Sequence, residues 1–166
     1  TTKAVIVFPQ ATLSPTVNTA NQCLAGNNYS FTANASVSSG TISSILWQFG
    51  DGTNTSTVNP PKVFITSGAY SPRVISTTNN GCKDTATLST IVYAMPNVNF
   101  AINDSTQCFN YHAAKITNTS TAGQGTITSQ SWKFGDGTTS TIFAPTKKYT
   151  QYGNYTVTLS VTNSVS

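Results

Sequence analysis

Carboxylates are the scarcest chemistry in this 166-residue chain, which contains four Asp and no Glu, and histidine occurs once. Acid–base catalysis, metal cages and phosphate sites draw on such groups, so no catalytic residue, metal site or cofactor is expected. Leucine is also rare, at five residues. A helical bundle or coiled coil built from Ala, Glu, Lys and Leu is excluded on that ground. The longest apolar run, Ala4-Val5-Ile6-Val7-Phe8, falls far short of the ~20 residues a membrane-spanning helix needs, so no membrane insertion is expected. The net charge of +4 reflects missing acids rather than a basic face: the cations are scattered and only Lys147-Lys148 are adjacent. Nucleic acid is therefore not an expected partner.

What the chain does contain is uncharged and polar, with 30 Thr, 20 Ser, 16 Asn and 7 Gln. Thr, Val, Ile, Tyr and Phe favour pleated surfaces, and the 17 aromatics are enough to fill one or two small β cores. Three cysteines, few charges and abundant Ser, Thr and Asn point to an extracellular or cell-surface location.

The decisive feature is an internal repeat. Trp47-Gln48-Phe49-Gly50-Asp51-Gly52-Thr53 recurs as Trp132-Lys133-Phe134-Gly135-Asp136-Gly137-Thr138, a shift of 85 residues. The same shift carries Cys23 onto Cys108, Pro60 onto Pro145, Gly68 onto Gly153 and Tyr70 onto Tyr155 without a gap. Two homologous domains are expected, at 9–94 and 95–166. The shift also lays Ile6-Val7-Phe8 over Ile91-Val92-Tyr93, the last strand-like segment of the first domain. Residues 1–8 therefore read as the final strand of a preceding or neighbouring domain, and the second domain lacks its own last strand. Joining Ser166 to Thr1 restores a well-patterned hairpin whose turn is four residues shorter than the first domain's. The length fits two 85-residue periods less those four residues.

Within each period Tyr29, Phe31, Ala33 and Ala35 alternate, as do Ile45, Trp47 and Phe49, and then Tyr70, Pro72 and Val74. Turn clusters such as Ser38-Ser39-Gly40, Gly50-Asp51-Gly52 and Asn79-Asn80-Gly81 separate these runs. About seven short strands per period predict an all-β chain of two tandem immunoglobulin-like sandwiches. Alternation puts Trp47 with Phe49, and Trp132 with Phe134, on one strand face as core anchors. Gly50 and Gly52, like Gly135 and Gly137, supply positive φ around an Asp that bonds nearby amides, so Asp51 and Asp136 read as turn locks rather than calcium ligands. Pro72 is unexpected in a strand and requires an edge or a bulge.

The W-x-F-G-D-G box, followed by Asn59-Pro60, Phe64, Gly68-Ala69-Tyr70 and Val74, resembles the polycystic-kidney-disease (PKD) domain family. The second copy, Trp132 to Gly137 with Pro145, Tyr149, Gly153-Asn154-Tyr155, Val157 and Leu159, matches it more closely. The dialect, with Cys23 before the second strand and a late Asn80-Gly81-Cys82 turn, is similar to copies on surface and secreted repeat proteins and gliding adhesins of Bacteroidota-type bacteria. The resemblance implies a non-catalytic structural or adhesive repeat, assembled head to tail with itself, with Val5, Ile6, Val7 and Phe8 as a strand donor. The alternative it implies is an accessory module of a secreted hydrolase that binds surface polysaccharide or protein, with Tyr93, Tyr111, Phe143 or Tyr152 as stacking surfaces. In such a sandwich Cys23 and Cys82 lie at opposite ends, so a bond between Cys82 and Cys108 of adjoining units is the alternative to free thiols, and Cys23 is left without an assigned role. Asp84-Thr85-Ala86 and Asp104-Ser105-Thr106 resemble O-glycosylation acceptors, which makes Thr85 and Ser105 the attachment candidates. An enzyme would have only Cys108 and His112 to work with.

Overall fold

The computed structural model describes residues 2–165. Thr1 and Ser166, the outer bounds of the expected segments 1–8 and 95–166, lie outside them. Among the described residues the chain is all-β apart from one 3-10 turn, Phe109–Tyr111, and it divides into two compact units, one ending at Tyr93 and the other beginning at Ala94.

Unit 1 contains β1 (Thr12–Leu13), β2 (Thr16–Val17), β3 (Asn21–Cys23), β4 (Tyr29–Thr32), β5 (Ala35–Ser36), β6 (Ile42–Gln48), β7 (Asn54–Thr55), β8 (Pro61–Lys62), β9 (Gly68–Tyr70), β10 (Arg73–Thr78), β11 (Lys83–Thr87) and β12 (Thr90–Tyr93). Many of these fragments are pieces of longer strands. Thr12 faces Ser36 and Val17 faces Phe31 in a single register, so β1 and β2 form one strand against β4 and β5. The interruption falls at Asn34, which alone among the described non-glycine residues has positive φ, at 46°; Asn tolerates that region and bonds Ser14 O through its side chain. With β8 on the other side of β4, these strands make the first sheet.

The second sheet is a long hairpin with flanking strands. Gly68 to Thr77 pairs with Lys83 to Val92 in one register that continues across a gap at Ser71-Pro72. Pro72 explains the gap: Leu88 N–H donates to Pro72 O at 2.8 Å, and proline has no N–H to return the bond. The strand thus accommodates its proline as a break rather than at a sheet edge. β6 and β7 extend the sheet on one side, and β3 joins β12 in parallel on the other. The first strand of the unit therefore serves both sheets, 12–17 in one and 21–23 in the other.

Between the sheets lie Tyr29, Phe31, Ala33, Ile45, Trp47, Phe49, Phe64, Val74 and Val92. Apart from Phe64, in the loop between β8 and β9, they come from alternate positions of β4, β6, β10 and β12 or the residue just past a strand end, as period-2 patterning requires.

Unit 2 repeats the plan with β13 (Phe100–Ile102), β14 (Ala114–Asn118), β15 (Ile127–Lys133), β16 (Thr139–Ser140), β17 (Thr146–Lys147) and β18 (Thr158–Asn163). β13, β14 and β17 form one sheet and β16, β15 and β18 the other. Its core is smaller, centred on Ile116, Trp132, Phe134 and Leu159.

Candidate functional site

The repeated box folds identically in both units. Trp47 and Trp132 are fully buried, and each indole Nε1 donates to a loop carbonyl, Val58 O at 3.1 Å and Ile142 O at 2.9 Å. Phe49 and Phe134 lie beside them at 3% and 4% exposure. The polypeptide then turns through two left-handed glycines, Gly50 and Gly52 at φ 85° and 86°, and Gly135 and Gly137 at 81° and 84°. The first of each pair packs against backbone, Gly50 on Ser71 and Gly135 on Thr156, whereas the second faces open space.

The Asp between the glycines is fully engaged. Asp51 Oδ1 accepts from Thr53 N–H at 3.0 Å and Thr53 Oγ1 at 2.6 Å, and Oδ2 pairs with Lys62 Nζ at 2.6 Å. Asp136 does the same with Thr138, at 3.1 and 2.6 Å, and with Lys147 at 2.6 Å. Each ammonium also donates to the threonine hydroxyl at 2.7 Å and stands about 5 Å from two ring centroids, those of Phe49 and Phe64 or of Phe134 and Tyr149. Burial pushes Asp51 upward, but the Lys62 and Thr53 hydrogen bonds and the Lys62 charge outweigh it and hold the carboxyl at about 2. At Asp136 the Lys147 hydrogen bond leads, followed by the Thr138 hydroxyl, and the carboxyl again sits at about 2. At neutral pH both are charged latches, each carboxylate oxygen already paired with a lysine or a threonine of its own unit.

Lys62 and Lys147 are absent from the sequence-based site, although they stand 85 residues apart like the Asp they hold. Two further repeated devices adjoin them. Tyr70 stacks on Phe64 at 4.0 Å and Tyr155 on Tyr149 at 3.8 Å. Their hydroxyls donate to Thr66 O and Gln151 O, four residues upstream, in the manner of the tyrosine corner of immunoglobulin-like sandwiches.

His112 also has a structural place. In unit 1 Asn27 donates to Leu24 O and Phe64 O and accepts from Phe64 N–H at 2.8 Å. His112, at the equivalent position, bonds Phe109 O through Nδ1 and accepts from Tyr149 N–H at Nε2. With Tyr149 N–H as donor, the proton belongs on Nδ1, and the ring pins the 3-10 turn to the loop that follows β17.

Val5, Ile6, Val7 and Phe8 lie outside the strands, 86%, 73%, 86% and 47% exposed, and Phe8 O is 4.0 Å from Cys82 Sγ. Cys82 opens the hairpin return, Cys23 lies beside Tyr93 at its far end, and Cys108 is exposed in unit 2. Thr85 on β11 and Ser105 in a bend are both exposed. Tyr111, Tyr152 and Phe143 are exposed, at 92%, 89% and 59%, while Tyr93 is half-buried. Among the described residues no three His, Cys, Asp or Glu side chains gather, and no helix is long and apolar enough to cross a membrane. One sizeable groove, about 480 Å³, opens in unit 2 between Thr106-Gln107 and Gly153–Tyr155, with Phe109 and His112 at its wall.

A family model described as PKD domain matches residues 12–92 and again 93–165. Among curated proteins, 46 residues are 54% identical to a stretch of the pre-pro-metalloprotease PrtV of Vibrio cholerae, covering 28% of this chain and 5% of that protein. Another 45-residue match, 53% identical, is to a microbial collagenase of Vibrio alginolyticus, covering 27% and 6%. The chain thus spans about a twentieth of the length of these relatives. Similar solved structures include the PKD1 domain of Vibrio anguillarum Epp, with TM-score 0.45, 23% identity, 50% of this chain and 93% of that one. The PKD1 domain of Vibrio cholerae PrtV gives 0.42 and 26%, over 52% and 98%. A carbohydrate-binding module of the β-sandwich superfamily gives 0.46 and 15%, over 95% and 84%.

Proposed function

The chain belongs to the PKD domain family in two tandem copies, and on that premise we propose that it is a non-catalytic structural repeat of an extracellular cell-surface or filament protein. The observation that carries this reading is the internal use of every signature group. Both tryptophans are buried and hydrogen-bonded, and both aspartates are committed to a lysine and a threonine of their own unit. What the motif supplies is a rigid turn, which suits a load-bearing spacer. The strand-like residues 4–8 suit head-to-tail assembly with further units, and an intermolecular Cys82–Cys108 bond would reinforce that seam. Glycans on Thr85 and Ser105 would project from exposed positions.

Fractionating the source cells and blotting under denaturing conditions tests the proposal. Recovery in the surface or secreted fraction supports it, as a 17.5 kDa subunit or as part of a larger polypeptide. Recovery in the cytosol overturns it.

A second reading, an accessory module holding a hydrolase on polysaccharide, is favoured by the exposure of Tyr111 and Tyr152, two rings open to stacking. Retention of the isolated pair on an insoluble polysaccharide, lost in Tyr111→Ala or Tyr152→Ala, would establish it; absence of retention on every polymer tried would remove it.

A further inference from the structure

The chain has 16 asparagines, and only Asn80 is followed by glycine. That pair sits in the turn of the long unit 1 hairpin, between Thr78 at the end of β10 and Lys83 at the start of β11. Thr78 N–H donates to Cys82 O at 2.9 Å and Gly81 N–H to Thr78 O at 3.0 Å, and Gly81 is left-handed at φ 82°. This is the three-residue loop that closes with a glycine bulge, so the turn itself requires the glycine. Asn80 is exposed, and its side-chain amide makes no hydrogen bond among the described residues. Asn79 is the opposite case: its Oδ1 accepts from Thr41 N–H at 3.0 Å and its own N–H donates to Thr41 O at 3.0 Å. Ser164, at the same offset in unit 2, repeats that lock on Thr126. The turn thus holds its first residue and leaves its second free.

We propose that Asn80 is a site of spontaneous deamidation and that closure of the hairpin turn controls its rate. In the reaction Gly81 N attacks Asn80 Cγ. A C–N bond forms, the side-chain nitrogen leaves as ammonia, and that ammonia takes the proton given up by Gly81 N. The resulting five-membered succinimide then adds one water at either carbonyl and opens to aspartate or to isoaspartate, whose main chain is longer by one methylene. Glycine is the follower that crowds the attack least, because it has no Cβ beside the nitrogen. Asn163, followed by the small Ser164, is the nearest rival. It is buried, at 3% exposure, and its Nδ2 donates to Ala122 O and Gln124 O.

The fold sets the pace because the attacking nitrogen is the one that donates to Thr78 O. Attack requires the turn to open locally, and the two backbone bonds that close it slow the reaction by about 5–150-fold relative to the open chain. Either product adds a carboxylate to a chain that has four, and lowers the net charge of +4 by one. Isoaspartate does more. Its extra methylene falls between Thr78 and Cys82, which are joined by the backbone bond at 2.9 Å and by Cys82 N–H donating to Thr78 Oγ1 at 3.1 Å. Those bonds cannot all re-form around a longer loop, so the hairpin frays from this end, beginning with the Thr77–Lys83 pair. The modification is one-way, and it does not depend on where the protein resides.

Incubation of the full chain, kept reduced at mildly alkaline pH, with mass mapping of the tryptic peptide Val74–Lys83 tests this. Asn80 is expected to convert before any other asparagine, giving aspartate and isoaspartate, the latter identified by isoaspartyl methyltransferase labelling. The free peptide Val74–Lys83 is expected to convert about 5–150-fold faster than the folded chain. Thr78→Val removes the hydroxyl that holds Cys82 N–H. It is expected to bring the folded rate closer to the peptide's while leaving the rate of the corresponding free peptide unchanged. Asn80→Gln is expected to end conversion in this segment, because Asn79 stays locked. First conversion at Asn79 or at any other asparagine overturns the site. A folded rate equal to the peptide's, or one unmoved by Thr78→Val, overturns control by the turn. A folded chain that stays unconverted far beyond about 150 half-lives of the peptide overturns both.

Discussion

Gly135→Ala should be among the most damaging single-methyl changes in unit 2, and a matched substitution two residues away isolates the reason. Gly135 and Gly137 have nearly the same left-handed φ, 81° and 84°. An L side chain there costs about 1–2 kcal/mol, partly offset by the about 0.4–1 kcal/mol that replacing glycine gains in the unfolded chain. Gly137→Ala meets nothing within 4 Å, so that small balance, about 1 kcal/mol or less, is its whole cost. A Cβ on Gly135 falls 2.8 Å from both N and O of Thr156, backbone atoms that cannot swing aside. Displacing them adds about 1–3 kcal/mol of overpacking, for a total of about 1–4 kcal/mol. Gly50→Ala in unit 1 falls between the two, since its nearest contact, Ser71 N, is 3.3 Å away, and Gly52→Ala repeats the mild case. Urea unfolding followed by hydrogen exchange resolves the units, with the amides of β18 reporting unit 2 and those of β10 unit 1. Equal destabilisation by Gly135→Ala and Gly137→Ala, within about 0.5 kcal/mol, would refute the argument from close approach.

Three other outcomes are expected. His112→Asn should leave unit 2 nearly as stable, because Asn27 makes the same contacts in unit 1, whereas His112→Ala should cost about 1–3 kcal/mol by orphaning Tyr149 N–H and Phe109 O; equal losses in urea midpoints would contradict the equivalence. A double-mutant cycle of Asp51→Asn and Lys62→Met should give a coupling of about 1 kcal/mol, the upper end of the range for exposed ion pairs, because the two side chains are only 18% and 14% exposed. Since the folded carboxyl sits at about 2, below its ordinary 3.8, that contribution is complete above about pH 4 and disappears as pH falls through about 2; a coupling that persists at the acid end would show the pair is not responsible. Tyr155→Phe keeps the stack on Tyr149 but loses the bond to Gln151 O, and should cost about 0.5–1.5 kcal/mol in thermal unfolding.

Much of this molecule was legible because evolution wrote it twice. The 85-residue shift aligns the box, the prolines and the G-x-Y strand, and period-2 alternation sorts Trp47 and Phe49 onto the buried face. The latch lysines were legible by the same means, yet counting cations as a class hides that two of them share one offset. His112 was not legible as a counterpart of Asn27, because two different side chains do one job and only the carbonyls and amides around them reveal it. The sharing of the first strand between both sheets was equally hidden, since its three ladder-paired pieces are only two or three residues long and none carries a pattern of its own.

That shared strand has a mechanical meaning. Near the start of unit 1, β3 runs parallel to β12, which leads out of the unit at Tyr93. Tension applied through the two ends of the unit therefore pulls these neighbours in opposite directions along their length. Their cross-links are loaded together, in shear, rather than being unzipped one after another as in a hairpin pulled from its open end. Failure under force depends on the unfolding barrier rather than on equilibrium stability, so a short parallel patch can set the breaking strength of a whole sandwich.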